Sequence, residues 1–154
     1  MPFDSERSLQ LIATYLAGSG HVLNAQVGEY KSAPDVPAGQ LTAAIWMAST
    51  SVVALALNGG TIEVHVVNAR VYGPAFGDDP EDVEITMAQA IQKIVSDLVG
   101  DADLGSEIRN VDVAGIHGTS MGADWGHADI SGTMYRVADL TIPLIVDDSA
   151  TVSL

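Results

Sequence analysis

The sequence predicts an α+β fold, a largely antiparallel sheet with two helices packed on one face, and three observations carry that expectation. Apolar residues recur at three- and four-residue intervals in two segments, from Leu9 to Leu16 and from Val83 to Leu98. Between and after them lie segments in which apolar and polar residues alternate or form short β-branched runs. Ser131-Gly132, set between Ile130 and Thr133, has the spelling of a two-residue hairpin, so the strands around it return antiparallel.

The elements follow in order. A first helix opens at Asp4 or Ser5, which can cap free amides, carries Leu9, Ile12, Tyr15 and Leu16 on one stripe, and stops at Gly18 or Gly20. His21 to Tyr30 reads as a short strand. Ser32 to Gly39 holds two prolines and a glycine, which prevent regular pairing, and is expected to be an exposed loop. Leu41, Ala43, Ile45 and Met47 then alternate with Thr42, Ala44, Trp46 and Ala48, a strand with two usable faces. In the strand Thr61 to Tyr72 the apolar phase moves from Ile62, Val64 and Val66 to Val67, Ala69 and Val71. A bulge or burial on both faces would produce that shift.

Asp79-Pro80-Glu81-Asp82 is the strongest local signal. Asp79 caps, Pro80 suits the first helical position, and the two acids face the positive end of the helix dipole. The helix buries Val83, Met87, Ile91, Ile94 and Leu98 and ends at Gly100. Three β segments remain, Ile108 to Ile116, Asp124 to Ile130 and Met134 to Val146. Gly115, Gly118 and Gly122 mark a loop between the first two, and Pro143 places part of the last at an edge or a bulge.

Composition bounds the function. At 154 residues, 47% hydrophobic and 17% charged, the chain 1–154 is expected to be one domain with a proper core. Twenty acids against six Lys and Arg give a net charge of −14, which opposes binding to DNA phosphates or an anionic membrane. With no cysteine there is no disulfide or thiolate chemistry. The acidic opening Met1 to Arg7 has no apolar run, so no signal peptide is expected. No apolar window reaches the length of a membrane span, since the run at Val52 to Leu57 stops at Asn58-Gly59-Gly60.

Enzyme chemistry has two candidate spellings. His117, Asp124, His127 and Asp129 offer imidazole and carboxylate for zinc or manganese, as a metal-dependent hydrolase would need. No HxH, HxxxH or HExxH spacing supplies a second histidine, and a polar loop and hairpin is the preferred meaning. Gly118-Thr119-Ser120-Met121-Gly122 spells Gly-x-Ser-x-Gly, but a β segment follows it rather than the helix of a nucleophile elbow. Glu63 and His65 share a strand face and read as surface or inter-subunit polar groups. No phosphate loop or dinucleotide fingerprint is present. The expectation is a protein without catalytic residues, metal or cofactor, and not an enzyme.

Four stretches in register resemble the tail terminator family of long-tailed, siphovirus-type actinobacterial phages. They are Tyr30-Lys31-Ser32-Ala33-Pro34 with Leu41-Thr42-Ala43-Ala44-Ile45-Trp46; Arg70-Val71-Tyr72 with Pro80-Glu81-Asp82; Gly100-Asp101, Leu104-Gly105 and Val111-Asp112 around Arg109; and Met134-Tyr135-Arg136-Val137 with Leu140 to Val146. The likeness is weaker in the first helix and from Ala48 to Gly60. Ser106 stands where the family usually has a second glycine after Leu104-Gly105.

The resemblance implies a ring-forming subunit, typically of a hexamer, that caps the tail tube, stops its polymerisation and offers a surface to head–neck proteins. The implied partners are other copies of the chain, the tail tube protein and a head–tail connector or neck protein. The genome passes through the channel without specific binding. The implied location is the virion at the tail–neck junction, with the host cytoplasm during assembly. A neck or head-closure protein of the same virion is the alternative. Strands usable on both faces and few lysines agree with such a role, because a head-to-tail ring needs two unlike lateral surfaces. Arg70, Arg109 and Arg136, with Asp112, are the candidate contacts within or between subunits, six basic groups being set among twenty carboxylates. Glu63, Asp78 and Asp79 are the carboxylates put forward for an acidic channel lining.

Overall fold

A computed structural model describes residues 5–37, 39–55, 60–75, 79–101, 103–105 and 108–148. The elements run α1 (Ser5–Gly18), β1 (Asn24–Val27), β2 (Thr42–Leu55), β3 (Thr61–Ala75), α2 (Pro80–Gly100), β4 (Asn110–Val111), β5 (Gly122–Ile130) and β6 (Thr133–Asp148). The sheet order is β1-β2-β3-β6-β4, with β5 also paired to β6. Every pairing is antiparallel except β1 with β2, so the fold is the expected α+β with a mostly antiparallel, mixed sheet.

Both helices lie on one face because strand alternation collects the small and branched apolar side chains there. Ala43 and Ile45 of β2, Val67, Ala69 and Val71 of β3, and Ala138, Leu140, Ile142 and Leu144 of β6 share one core cluster with the helical residues. Those are Ile12 and Leu16 of α1 and Met87, Ile91, Ile94 and Leu98 of α2. α2 starts as its sequence dictates: Asp79 Oδ1 accepts from the Glu81 N–H, and Pro80 fills the first turn. α1 ends at Gly18, where the Ser19 hydroxyl and N–H both donate to the Leu16 carbonyl. Asp4, the other candidate cap, lies outside the described residues. Ser131 (φ 52°) and Gly132 (φ 85°) both adopt the left-handed conformation of a primed hairpin turn, and Asp129 Oδ1 accepts from the Gly132 N–H.

Of the two readings offered for the β3 phase shift, the structure bears out burial on both faces, and four other expectations about the elements need correction. The phase shift in β3 is not a bulge of β3, which pairs with β6 without a break from Thr61 to Tyr72; β2 carries the irregularities, between Met47 and Ser49 and between Val52 and Ala54. β3 is buried on both faces instead, Val64 and Val66 on the face without helices and Val67, Ala69 and Val71 beneath them. The first strand is only Asn24–Val27, and the Ile108 to Ile116 segment shrinks to Asn110–Val111. In the latter, the Asp112 side chain accepts from the Ile116 and His117 amides, four and five residues on, and curls the chain out of the sheet.

Pro143 lies in neither an edge strand nor a bulge, since β6 has neighbours on both sides. Its carbonyl accepts from the Asp112 N–H (2.9 Å), so its missing donor points the same way, into the gap where β5 ends at Thr141 and β4 begins at Leu144. The ladder to β3 loses nothing there. The loop at 32–37 is exposed only in part. Its Pro34 carbonyl accepts the Tyr135 hydroxyl (2.7 Å), and Val36 packs on the aromatic cluster of the open sheet face.

Candidate functional site

The three arginines singled out in the sequence each meet a carboxylate of their own chain. Arg70, on the open face, makes two bonds to Asp139 (Nε 2.7 Å, Nη2 3.0 Å) and lies over the Trp46 ring at 5.3 Å. The pairing is dictated by register, because Arg70 and Asp139 are direct cross-strand partners. The hydrogen bond to Asp139 raises the Arg70 pKa above its ordinary value, holding the guanidinium charged. Arg136, on the helix face, forks onto Glu84 of α2 (2.9 and 3.1 Å), donates to the Gly126 carbonyl and lies 5.4 Å from the Trp125 ring. It thereby ties α2 to the β5–β6 hairpin, and its bond holds the Glu84 carboxyl below the usual value. Arg109 reaches Asp147 at 2.8 Å from an exposed position.

Asp112 braces a loop. It is buried (2% exposed), its Oδ1 accepts from the Ile116 N–H and its Oδ2 from the His117 N–H, both at 2.9 Å. Gly115 (φ +73°) completes the turn. A Cβ there would sit 2.7 Å from the Ser120 nitrogen, so only glycine fits. The braced loop holds Ile116 out in solvent, 83% exposed.

The candidate metal cluster is dispersed. His117 stands on that exposed loop, and Asp124 points to the opposite sheet face from His127 and Asp129, which alternation places together. Among the described residues no three histidines or carboxylates converge as a metal ion requires. Ser120 lies in the loop before β5, so the Gly-x-Ser-x-Gly spelling forms no strand-to-helix elbow.

The expectation that Glu63 and His65 are surface or inter-subunit polar groups needs correction, because His65 is buried and the pair joins a relay to Ser8, a residue the sequence did not single out. Ser8 of α1 bonds His65 Nδ1 (2.7 Å), His65 Nε2 bonds Glu63 (2.9 Å), and the Thr61 hydroxyl donates to the same carboxylate (2.9 Å). The order resembles a Ser–His–acid relay. Ser8 is 0% and His65 1% exposed, so the hydroxyl is sealed from any substrate, and the relay instead satisfies polar groups under α1. Its only sequence signal is the pair Glu63 and His65 interrupting the helix-face register. Glu63 is thus engaged in this network and Asp79 caps α2, while Asp78, the third proposed channel carboxylate, lies outside the described residues.

The remaining surface has two features. The sheet face opposite the helices carries no second layer among the described residues. At one end it bears an edge-to-face stack of Tyr30, Tyr72 and Tyr135, where burial raises the Tyr72 and Tyr135 hydroxyl pKa values. The sheet also has two unlike edges. β1 covers β2 only from Thr42 to Ile45, which leaves Met47 to Leu55 without a strand partner on its outer side among the described residues. β5 forms the other edge. No described helix is long and apolar enough to cross a membrane. Comparison with protein families gives no match, and comparison with curated proteins gives none either.

Proposed function

We propose that the chain is a tail terminator of a long-tailed phage, a non-enzymatic virion protein. It closes as a ring on the tail tube, stops its polymerisation and presents a joining surface to the neck. The supporting observation is the pair of unlike sheet edges on one α+β subunit, which is what a head-to-tail ring demands. It adds to the four sequence stretches that resemble the family in order. Arg70, Arg109 and Arg136 act within the subunit in this reading, bracing the surfaces rather than bridging them. With the arginines so engaged, the net charge of −14 leaves a surplus of carboxylates, and a genome would slide past without the counterion release that makes basic surfaces sticky.

The test is tube elongation. Purified chain added to polymerising tail tube protein should arrest growth at substoichiometric amounts. Unchanged elongation, or binding to the head portal in place of the tube, would contradict the proposal, and the second result would favour a neck protein.

A further inference from the structure

The free stretch of β2 is chemically unusual for this molecule. From Val36 to Ile62 no residue is charged, although the chain as a whole carries −14. Residues 48–52, 54 and 55 are exposed, Val52 at 60% and Leu55 at 78%. Natural edge strands are usually blunted with lysine, proline or inward charges, because their unpaired N–H and C=O groups recruit other chains. This edge has no lysine, proline or charge, and bends only at its two irregularities, which leave the regular stretch Ser49–Val52 between them. Two copies that repel each other through their carboxylates can approach through such a strip without setting like charges against each other.

We infer that the outer edge of β2, from Met47 to Leu55, pairs with the β5 edge of a second copy of this chain, an inference that rests on the ring reading. Strand direction supports the pairing. β2 to β3, β3 to β6 and β6 to β5 are each antiparallel, so β2 and β5 run in opposite directions. Rotation about a ring axis preserves a strand's direction along that axis, so for strands running mainly along it the β5 of the next copy arrives antiparallel to β2, with all helices on one side of the continuous sheet. The two edges are offset along the strands. β5 lies level with residues 133–141 of β6, whereas the free part of β2 lies level, through β3, with residues 142–148. Joining them tilts the strands against the ring axis, as closing any sheet requires. The two irregularities in β2 add the local twist and bend that favour a curved closure over a flat fibre.

The test uses the regular stretch Ser49–Val52. Neighbouring N–H groups in a strand point to opposite sides, so of Thr50→Pro and Ser51→Pro one removes a bond to β3 and the other removes only an outward donor. The variant that keeps the wild-type melting temperature is the informative one. It should sediment as a monomer and leave tubes uncapped where wild type forms rings. In the wild-type ring, amides of residues 48–55 should exchange about ten-fold or more slowly than in the monomer. Rings formed equally well by the stable proline variant would overturn this pairing while leaving the ring reading intact. Two-fold dimers protected over 48–55 but never rings would show β2 pairing with itself, overturning both. Wild-type rings with 48–55 still exchanging freely would also refute the pairing.

Discussion

Replacing Asp112 with alanine removes a buried carboxylate that holds two backbone amides, and the cost is calculable. Hydrogen bonds to a charged acceptor contribute about 1.5–3 kcal/mol each. Asp112 makes two at 2.9 Å, to Ile116 and His117. Both residues are exposed, so water replaces part of what the amides lose, and the alanine also relieves the carboxylate of its desolvation. The net destabilisation is expected at about 2–3 kcal/mol. In a domain of this length that lowers the melting temperature by about 4–12 °C. Urea melts followed by circular dichroism measure the loss, and hydrogen exchange at Ile116 and His117 locates it. A change under about 0.5 kcal/mol, with those amides still protected, would show that glycine turns and neighbouring backbone bonds shape the loop without the carboxylate.

Other perturbations test other parts of the structure. Met87→Ala or Ile91→Ala should destabilise by about 2–5 kcal/mol, because both side chains are buried between α2 and the sheet; near-zero loss in a urea melt would mean that α2 does not pack there. Glu84 has its folded pKa depressed by the bond from Arg136, so its contribution is present above the usual value of 4.5 and is lost as pH falls through the folded value. Glu84 is half exposed, so that contribution is only about 0.2–1 kcal/mol; Glu84→Gln should remove that much of the acid-dependent loss between pH 7 and pH 3, and an unchanged profile would disprove the coupling. Duplex DNA at low salt, where attraction is strongest, should not bind the assembled protein; tight, salt-sensitive binding would contradict a non-adhesive channel.

Local chemistry made much of this fold legible. Asp79-Pro80 can hardly do other than start a helix, and Ser131-Gly132 needs two left-handed residues that only a few turn types supply. The long-range facts were not legible. Nothing in the spacing of Asn24 to Val27 announces a parallel partner, because pairing direction depends on how the loop at 28–41 returns. Pro143 looked like an edge residue because a sequence cannot show that one strand is flanked by two others end to end.

The site divides in the same way. Arginines scarce among carboxylates were bound to find acidic partners, yet which carboxylate is a matter of register, as Arg70 opposite Asp139 illustrates. The Ser8–His65–Glu63 relay joins residues far apart in the chain and left only a polar interruption in β3 as its trace. The free edge of β2 became visible only once β1 was seen to stop at Val27.

Electron microscopy of tail tubes incubated with the purified chain tests the central claim most directly. The account predicts a single ring of this protein closing one end of each tube, with rings absent from tubes incubated alone. Tubes with bare ends in the presence of excess folded protein, or the chain found only on the head portal, would contradict it.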